Sequence, residues 1–362
     1  MDRKHSISPL GITNFLESGA LLRHKGQWVL IEGPFSPVKT PNSSAISVFC
    51  PDFYEQESHP LWWGAKEHLL TTQELRGFCE DFLHANPLSH APLSKASWSE
   101  PREEDFATDL EVIQGRIKSK AIDKAVPVIF ARSRQTVTAV EKAQMILSLT
   151  QAPETLYVFG FWQNGEGILG ATPETLFDYD KGVLQTMALA GTCPKSESTE
   201  RASLLMDEKE MQEHGLVVDD LTQRLSQWGE VGSHGPYILE LPTLFHLKTD
   251  FQVHCQTQPD FRTLAMELHP TPALGVAPRS AGYKWMHELP GQEGRRGYGA
   301  PFAFLGTEEA LCLVAIRNLQ WNKNESMIGS GCGIVAASEF TREWRELFQK
   351  RLSVRKILGL EV

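Results

Sequence analysis

At 362 residues the chain exceeds most single domains without demanding two separate cores, and 41% hydrophobic with 22% charged residues excludes a disordered or fibrous chain. A formal charge of −10 argues against a nucleic-acid partner, so an anionic ligand has to be held by a few local cations. No window approaches the roughly 18 apolar residues of a membrane span, and the opening MDRKHSIS lacks the apolar core of a signal peptide, so the expectation is a cytoplasmic protein with no membrane partner.

In chain order, the first 84 residues read as short strands such as WVLIEG and AISVF, then one or two helices ending near FCEDFLHA. Residues 86–104, rich in Pro, Ser and charge, read as a surface connection. Phe106, Leu110, Ile113 and Ile117 recur at helical spacing, and AVPVIFA after Lys124 predicts a buried strand. A helix over about 138–149 precedes TLYVFGFW, GILGA, TLFDY and VLQTMALAG, four runs that predict an antiparallel meander. A long helix over about 199–228 interrupts them. Further strands are predicted at PYILEL, FQVHC, FAFLG, LCLVAI and MIGSGCGIV, before a terminal helix from about Glu339. The six scattered cysteines include no C-x-x-C pair and read as reduced thiols.

On the terminal helix, Glu343, Glu346 and Lys350 fall within an arc of about 60°, beside the apolar arc of Trp344, Leu347, Phe348 and Leu352. On the long helix, Met211, His214, Val217, Val218, Leu221 and Leu225 define an apolar arc that contains Glu210 and borders on Glu213. Either acidic pair alone also reads as an ion-paired or solvated face. Two such pairs on helices with apolar flanks suit Mg2+, which takes one or two carboxylates and keeps water in its other positions. In GATPE, Gly and Pro fix a turn that delivers Glu174, and burial there would suit it to act as an acid. Gly191-Thr192 ends a strand with a bare N–H and a hydroxyl, although an ordinary strand end reads the same. Arg317 and Gly331 offer further anion contacts, while His246 reads as a satisfied core histidine before a polar wall and Tyr298 as either.

Taken in order, GATPETLF, ALAGT, KEMQEH, LFHL, LHPTPALG, RRGYGAP, VAIRN, GCGIVAAS and EWRE with a lysine four residues on resemble the chorismate-utilising enzymes. That family includes isochorismate, salicylate, anthranilate and aminodeoxychorismate synthases. The resemblance implies an α+β fold: one large domain of layered, mostly antiparallel sheets with flanking helices. Residues 1–103 would be an amino-terminal part of that fold, and 104–362 the chorismate-binding catalytic region.

It further implies that Glu213 and Glu346 coordinate Mg2+ with Glu210 and Glu343 in support. Gly191, Thr192, His246, Ala273, Leu274, Tyr298, Arg317, Gly331 and Lys350 would bind chorismate, with Glu174 as general acid and Lys124 as general base. Lys124 is placed by register, with Lys118 and Lys120 as alternatives. Ala190 stands where aminodeoxychorismate synthases carry a nucleophilic lysine, so water becomes the nucleophile. LHPTPAL resembles isochorismate synthases, and no glutaminase subunit is expected. The implied reaction is attack of water at C2 with loss of the C4 hydroxyl. Salicylate synthase, which adds pyruvate elimination, shares the same acid, base and metal. A non-catalytic chorismate-binding protein would have lost the acid or a metal glutamate, and all are present.

Overall fold

The structure, a computed structural model, describes residues 9–40, 45–55, 57–87, 93–195, 201–241 and 244–360. Among these residues fifteen strands join edge to edge in one sheet whose neighbours are all antiparallel. From one edge the order is Val231–Glu240, Leu244–His254, Val183–Pro194, Thr175–Asp180, Glu309–Val314, Pro301–Leu305, Ser47–Phe49 and Leu61–Leu70. It continues through Gln27–Val38, Gly19–His24, Tyr157–Gln163, Glu166–Thr172, Asn318–Trp321, Ser326–Gly331 and Val128–Ser133. The sheet curls on itself. Phe159 and Phe302, far apart in this order, meet with ring centroids 4.9 Å apart in a core shared with Ala20, Ile31, Phe304 and Leu313.

Seven α-helices flank the sheet among the described residues: α1 (Pro9–Glu17), α2 (Thr72–Ala85), α3 (Glu103–Lys118), α4 (Ala139–Leu149), α5 (Glu208–Leu225), α6 (Phe261–Leu268) and α7 (Phe340–Ile357). Capping boxes at Thr71/Glu74 and Thr138/Glu141 fix the starts of α2 and α4 by satisfying backbone N–H groups that the helix leaves unpaired. α1, α2 and α4 cover one half of the sheet around Phe15, Leu75 and Ile146, while α5 and α6 cover the other around Leu221 and Leu264. This is the α+β architecture that the sequence predicts. No described helix is long and apolar enough to cross a membrane.

Four sequence expectations are corrected. The meander breaks at Pro173: Glu166–Thr172 pairs with Tyr157–Gln163 and Asn318–Trp321, whereas Thr175–Asp180 pairs with Val183–Pro194 and Glu309–Val314. AVPVIFA is two strands, because Pro127 has no N–H for a ladder; Lys124–Ala125 pairs separately with Val276–Ala277. The long helix starts at Glu208, where Asp207 caps it, after a 3-10 turn over Arg201–Met206; the expected start at Thr199 lies outside the described residues. On α7, Phe348 is 43% exposed, and the buried face is Glu343, Glu346, Leu347, Arg351, Val354 and Arg355, so charge occupies the core-facing side.

Candidate active site

Two chain crossings set the site. Residues 172–175 and 314–318 pass side by side from one half of the sheet to the other, tied by Val314 N–H to Glu174 O (3.0 Å) and Ala171 N–H to Arg317 O (3.1 Å). Glu174 and Arg317 are thereby delivered where ladder pairing lapses. Arg317 takes φ 55°, an uncommon conformation for a non-glycine residue. Gly170 permits the close crossing, since a Cβ there would lie 2.4 Å from Arg317 O. Glu174 is 3% exposed, and burial pushes its carboxyl up to about 8 although Lys124, Lys350 and Arg317 pull the other way.

A bulge forms the next wall. The register of Val183–Pro194 against Leu244–His254 slips between Leu189 and Thr192, with Gly191 at φ 84° as the residue that allows it. His214 secures the bulge through Nδ1 to Ala190 O (3.0 Å) and Nε2 to Thr249 Oγ1 (2.8 Å). Thr192 N–H donates to Glu210 Oε2 (2.7 Å), so that N–H supports the acidic cluster. Thr192 Oγ1 meets His246 Nδ1 at 3.0 Å, and Arg317 Nη2 lies 3.3 Å from His246 Nε2. Because Arg317 only donates, Nε2 accepts and the proton sits on Nδ1. Burial, with Arg317 and Lys350 nearby, holds His246 well below its ordinary value and therefore neutral. Arg317 Nη1 donates to Ser353 Oγ on α7 (2.7 Å).

The helices bring four glutamates together. Glu213 Oε1 lies 3.0 Å from Lys124 Nζ, and Glu346 Oε1 lies 2.5 Å from Lys350 Nζ, which also donates to Gly331 O (2.8 Å). Glu210 Oε1 pairs with Arg342 Nη2 (2.8 Å), which reaches Asp207 as well. Lys209 Nζ stands between Glu343 (2.9 Å), Glu210 (3.1 Å) and Glu213 (3.5 Å). Burial alone would raise Glu213, but Lys124 and Lys209 bring it down to about 2. Burial and Glu213 lift Glu210 to about 7, and burial with Glu346 raises Glu343. Burial disfavours the charge on Lys209 and Lys350, yet the carboxylates outweigh it and raise both. Gly333 makes room for the first pair: a Cβ there would lie 2.0 Å from Glu213 Oε1 and 2.7 Å from Lys124 Cε.

These walls enclose a cavity of about 50 Å³. All nine expected binding residues, Gly191, Thr192, His246, Ala273, Leu274, Tyr298, Arg317, Gly331 and Lys350, line it together with Glu174 and Glu213. Glu210, Glu343 and Glu346 stand behind, reached through the ion pairs above. Lys124 is fully buried beside Glu213 rather than on the wall, whereas Lys118 and Lys120 are exposed and remote in character from an enclosed base. A broader cleft of about 740 Å³ lies over Asp178, Gln185, Lys248 and Asp250, but its lysine is already paired with Asp250 at 2.9 Å and it holds no enclosed acid.

Sequence reasoning passed over Lys209 and Arg342. The signal available for Lys209 was a lysine in the first turn of a helix, immediately before the acidic pair, where the helix dipole disfavours a cation. By donor chemistry the cluster suits a hard cation, although not with its side chains as they stand. Four carboxylates are gathered, Glu343 Oε2 is buried with no hydrogen-bond partner among the described residues, and the Lys209 ammonium already stands among three of them. As the side chains stand, no three acidic, His or Cys groups among the described residues converge in ligating geometry.

A family model described as chorismate binding enzyme matches residues 65–359. The isochorismate synthase MenF of Bacillus subtilis (strain 168) is 27% identical over 308 residues, 82% of this chain and 64% of that protein. The isochorismate synthase EntC of Escherichia coli (strain K12) is 33% identical over 207 residues, 54% of this chain and 52% of that protein. The chain thus spans about half to two thirds of the curated relatives it matches. Among solved structures, DhbC from Bacillus anthracis superposes with a TM-score of 0.79 at 19% identity, covering 96% of this chain and 97% of that one. The menaquinone-specific MenF of Escherichia coli gives 0.75 at 19% identity, covering 97% and 90%.

Proposed function

For a chain that belongs to the chorismate-binding enzyme family, we propose the activity of an isochorismate synthase, with chorismate as substrate and Mg2+ as cofactor. The observation that carries this reading is Glu174: an enclosed carboxyl pushed up to about 8 and therefore protonated at neutral pH, on the wall of a cavity that also carries Arg317, Lys350 and Tyr298. An acid poised to give up a proton beside anion-binding cations is what loss of a hydroxyl from a dicarboxylate requires.

Arg317, oriented by His246 and Ser353, and Lys350, held by Glu346 and Gly331 O, bind the substrate's carboxylates. Ala273 and Leu274 give the ring an apolar wall and exclude water from it. Mg2+ held by Glu213 and Glu346, with Glu210 and Glu343 in support, supplies charge neutralisation for a carboxylate of the substrate. Glu174 protonates the departing C4 hydroxyl. Lys124, once released from Glu213 and having given its proton to solvent, acts as a neutral amine and takes the proton of the water that attacks C2 as the ring double bonds shift. Ala190 lies on the cavity wall and offers no amine, which leaves water as the nucleophile.

The overall change exchanges one oxygen with solvent. Turnover of chorismate in H2-18O should yield isochorismate carrying one solvent oxygen at C2, read by mass spectrometry. Product without the label would refute attack by water.

A further inference from the structure

Lys209 is the second residue of α5, 7% exposed, in a first turn whose N–H groups disfavour positive charge. Its place is therefore explained only by the carboxylates around it: Glu343 at 2.9 Å, Glu210 at 3.1 Å and Glu213 at 3.5 Å. The surrounding cluster is already largely compensated in charge. Four glutamates, Glu210, Glu213, Glu343 and Glu346, with Asp207 at their edge, face four side-chain cations, Lys209, Lys124, Lys350 and Arg342, each within an ion-pair contact.

A divalent cation cannot join this arrangement by simple addition. At the separations involved it would lie against the Lys209 ammonium in a poorly solvated pocket, where like charges repel strongly. One oxygen each of Glu210, Glu213 and Glu343 is taken up by Nζ, and no ligand set converges among the described residues. Of the four cations, Lys209 is the one that touches three carboxylates at once. Lysine's unbranched stem lets such a charge leave without moving the helix.

We propose that Lys209 is a tethered counter-ion that holds the carboxylate cluster together in the metal-free protein and is displaced when the divalent cation binds, so that it sets metal affinity. This rests on the metal reading given above. Lysine occupancy is a competing state, and removing it lifts the penalty that it imposes on the metal.

The test is calorimetric titration of Mg2+ into the purified full chain without substrate, for wild type, Lys209→Gln and Lys209→Arg, with thermal unfolding in parallel. Lys209→Gln should bind Mg2+ about tenfold or more tightly than wild type, as expected when a competing state is removed. It should melt below wild type in the absence of metal and recover with Mg2+. Lys209→Arg keeps the charge, folds like wild type and should bind Mg2+ no more tightly than wild type. Wild-type binding with equal or weaker binding by Lys209→Gln would overturn the counter-ion role and leave the metal assignment standing. Tighter binding by Lys209→Arg would overturn it too, even if the glutamine variant does not fold. Absence of Mg2+ binding by all three proteins would overturn both this inference and the metal assignment.

Discussion

Replacing Glu174 by Gln removes a titratable group while keeping its shape, so stability and catalysis can be separated on one variant. Burial lifts the carboxyl from its ordinary 4.5 to about 8. Between these values the unfolded chain has lost a proton that the native protein retains, so stability falls as pH rises from about 4.5 and levels off above about 8. Each pH unit in that window costs about 1.4 kcal/mol, which accumulates to roughly 5 kcal/mol by pH 8. Glutamine carries no such penalty. For a chain of this size that corresponds to a relative gain of roughly 5–10 °C in Tm for Glu174→Gln at pH 9 over its relation to wild type at pH 5. Turnover should fall about 100-fold or more, as for loss of a general acid. The assay is thermal unfolding of both proteins at pH 5, 7 and 9, with initial rates at pH 7. Parallel pH profiles of Tm would refute the claim that Glu174 is held protonated, and retained turnover would refute its role as the acid.

Lys124→Ala should lose about 100-fold or more in kcat while ligand binding, read by calorimetry, persists, because a base acts mainly on the transition state; a rise confined to KM would make Lys124 a binding residue. Gly333→Ala should cost about 1–3 kcal/mol by overpacking and displace Glu213 from Lys124, lowering both Tm and turnover. Gly331→Ala, whose Cβ would meet its nearest neighbours at 3.2–3.3 Å, should be milder in chemical denaturation, and equal effects would contradict this account of Gly333.

Much of this site was legible because its residues occur in local segments. The i,i+3 spacing puts Glu210 with Glu213 and Glu343 with Glu346 on single helix faces, and the cap at Thr138 marks a helix start in sequence, whereas the start at Asp207 differs from the expected one at about Thr199. What periodicity does not contain is strand partnership. Residues 172–175 read as a turn within a meander, whereas the chain there crosses to the other half of the sheet, and that crossing is what sets Glu174 beside Arg317. Hydrophobicity also misassigned α7. Periodicity places Phe348 on the apolar arc, but the face that packs inward carries Glu343 and Arg351, compensated by Lys209 and Glu100 from segments distant in sequence, and Glu346, compensated by Lys350 one turn on. For Lys209, the partners Glu210 and Glu213 lie on its own helix, and what the sequence does not contain is the third, Glu343 on α7.

The central claim is tested most directly by the products of the first turnovers. Purified protein with chorismate and Mg2+ should give a reversible mixture of chorismate and isochorismate with little pyruvate, and chelation should stop the exchange until Mg2+ is returned. Salicylate and pyruvate formed at equal rates, matching the loss of chorismate without an added lyase, would contradict it.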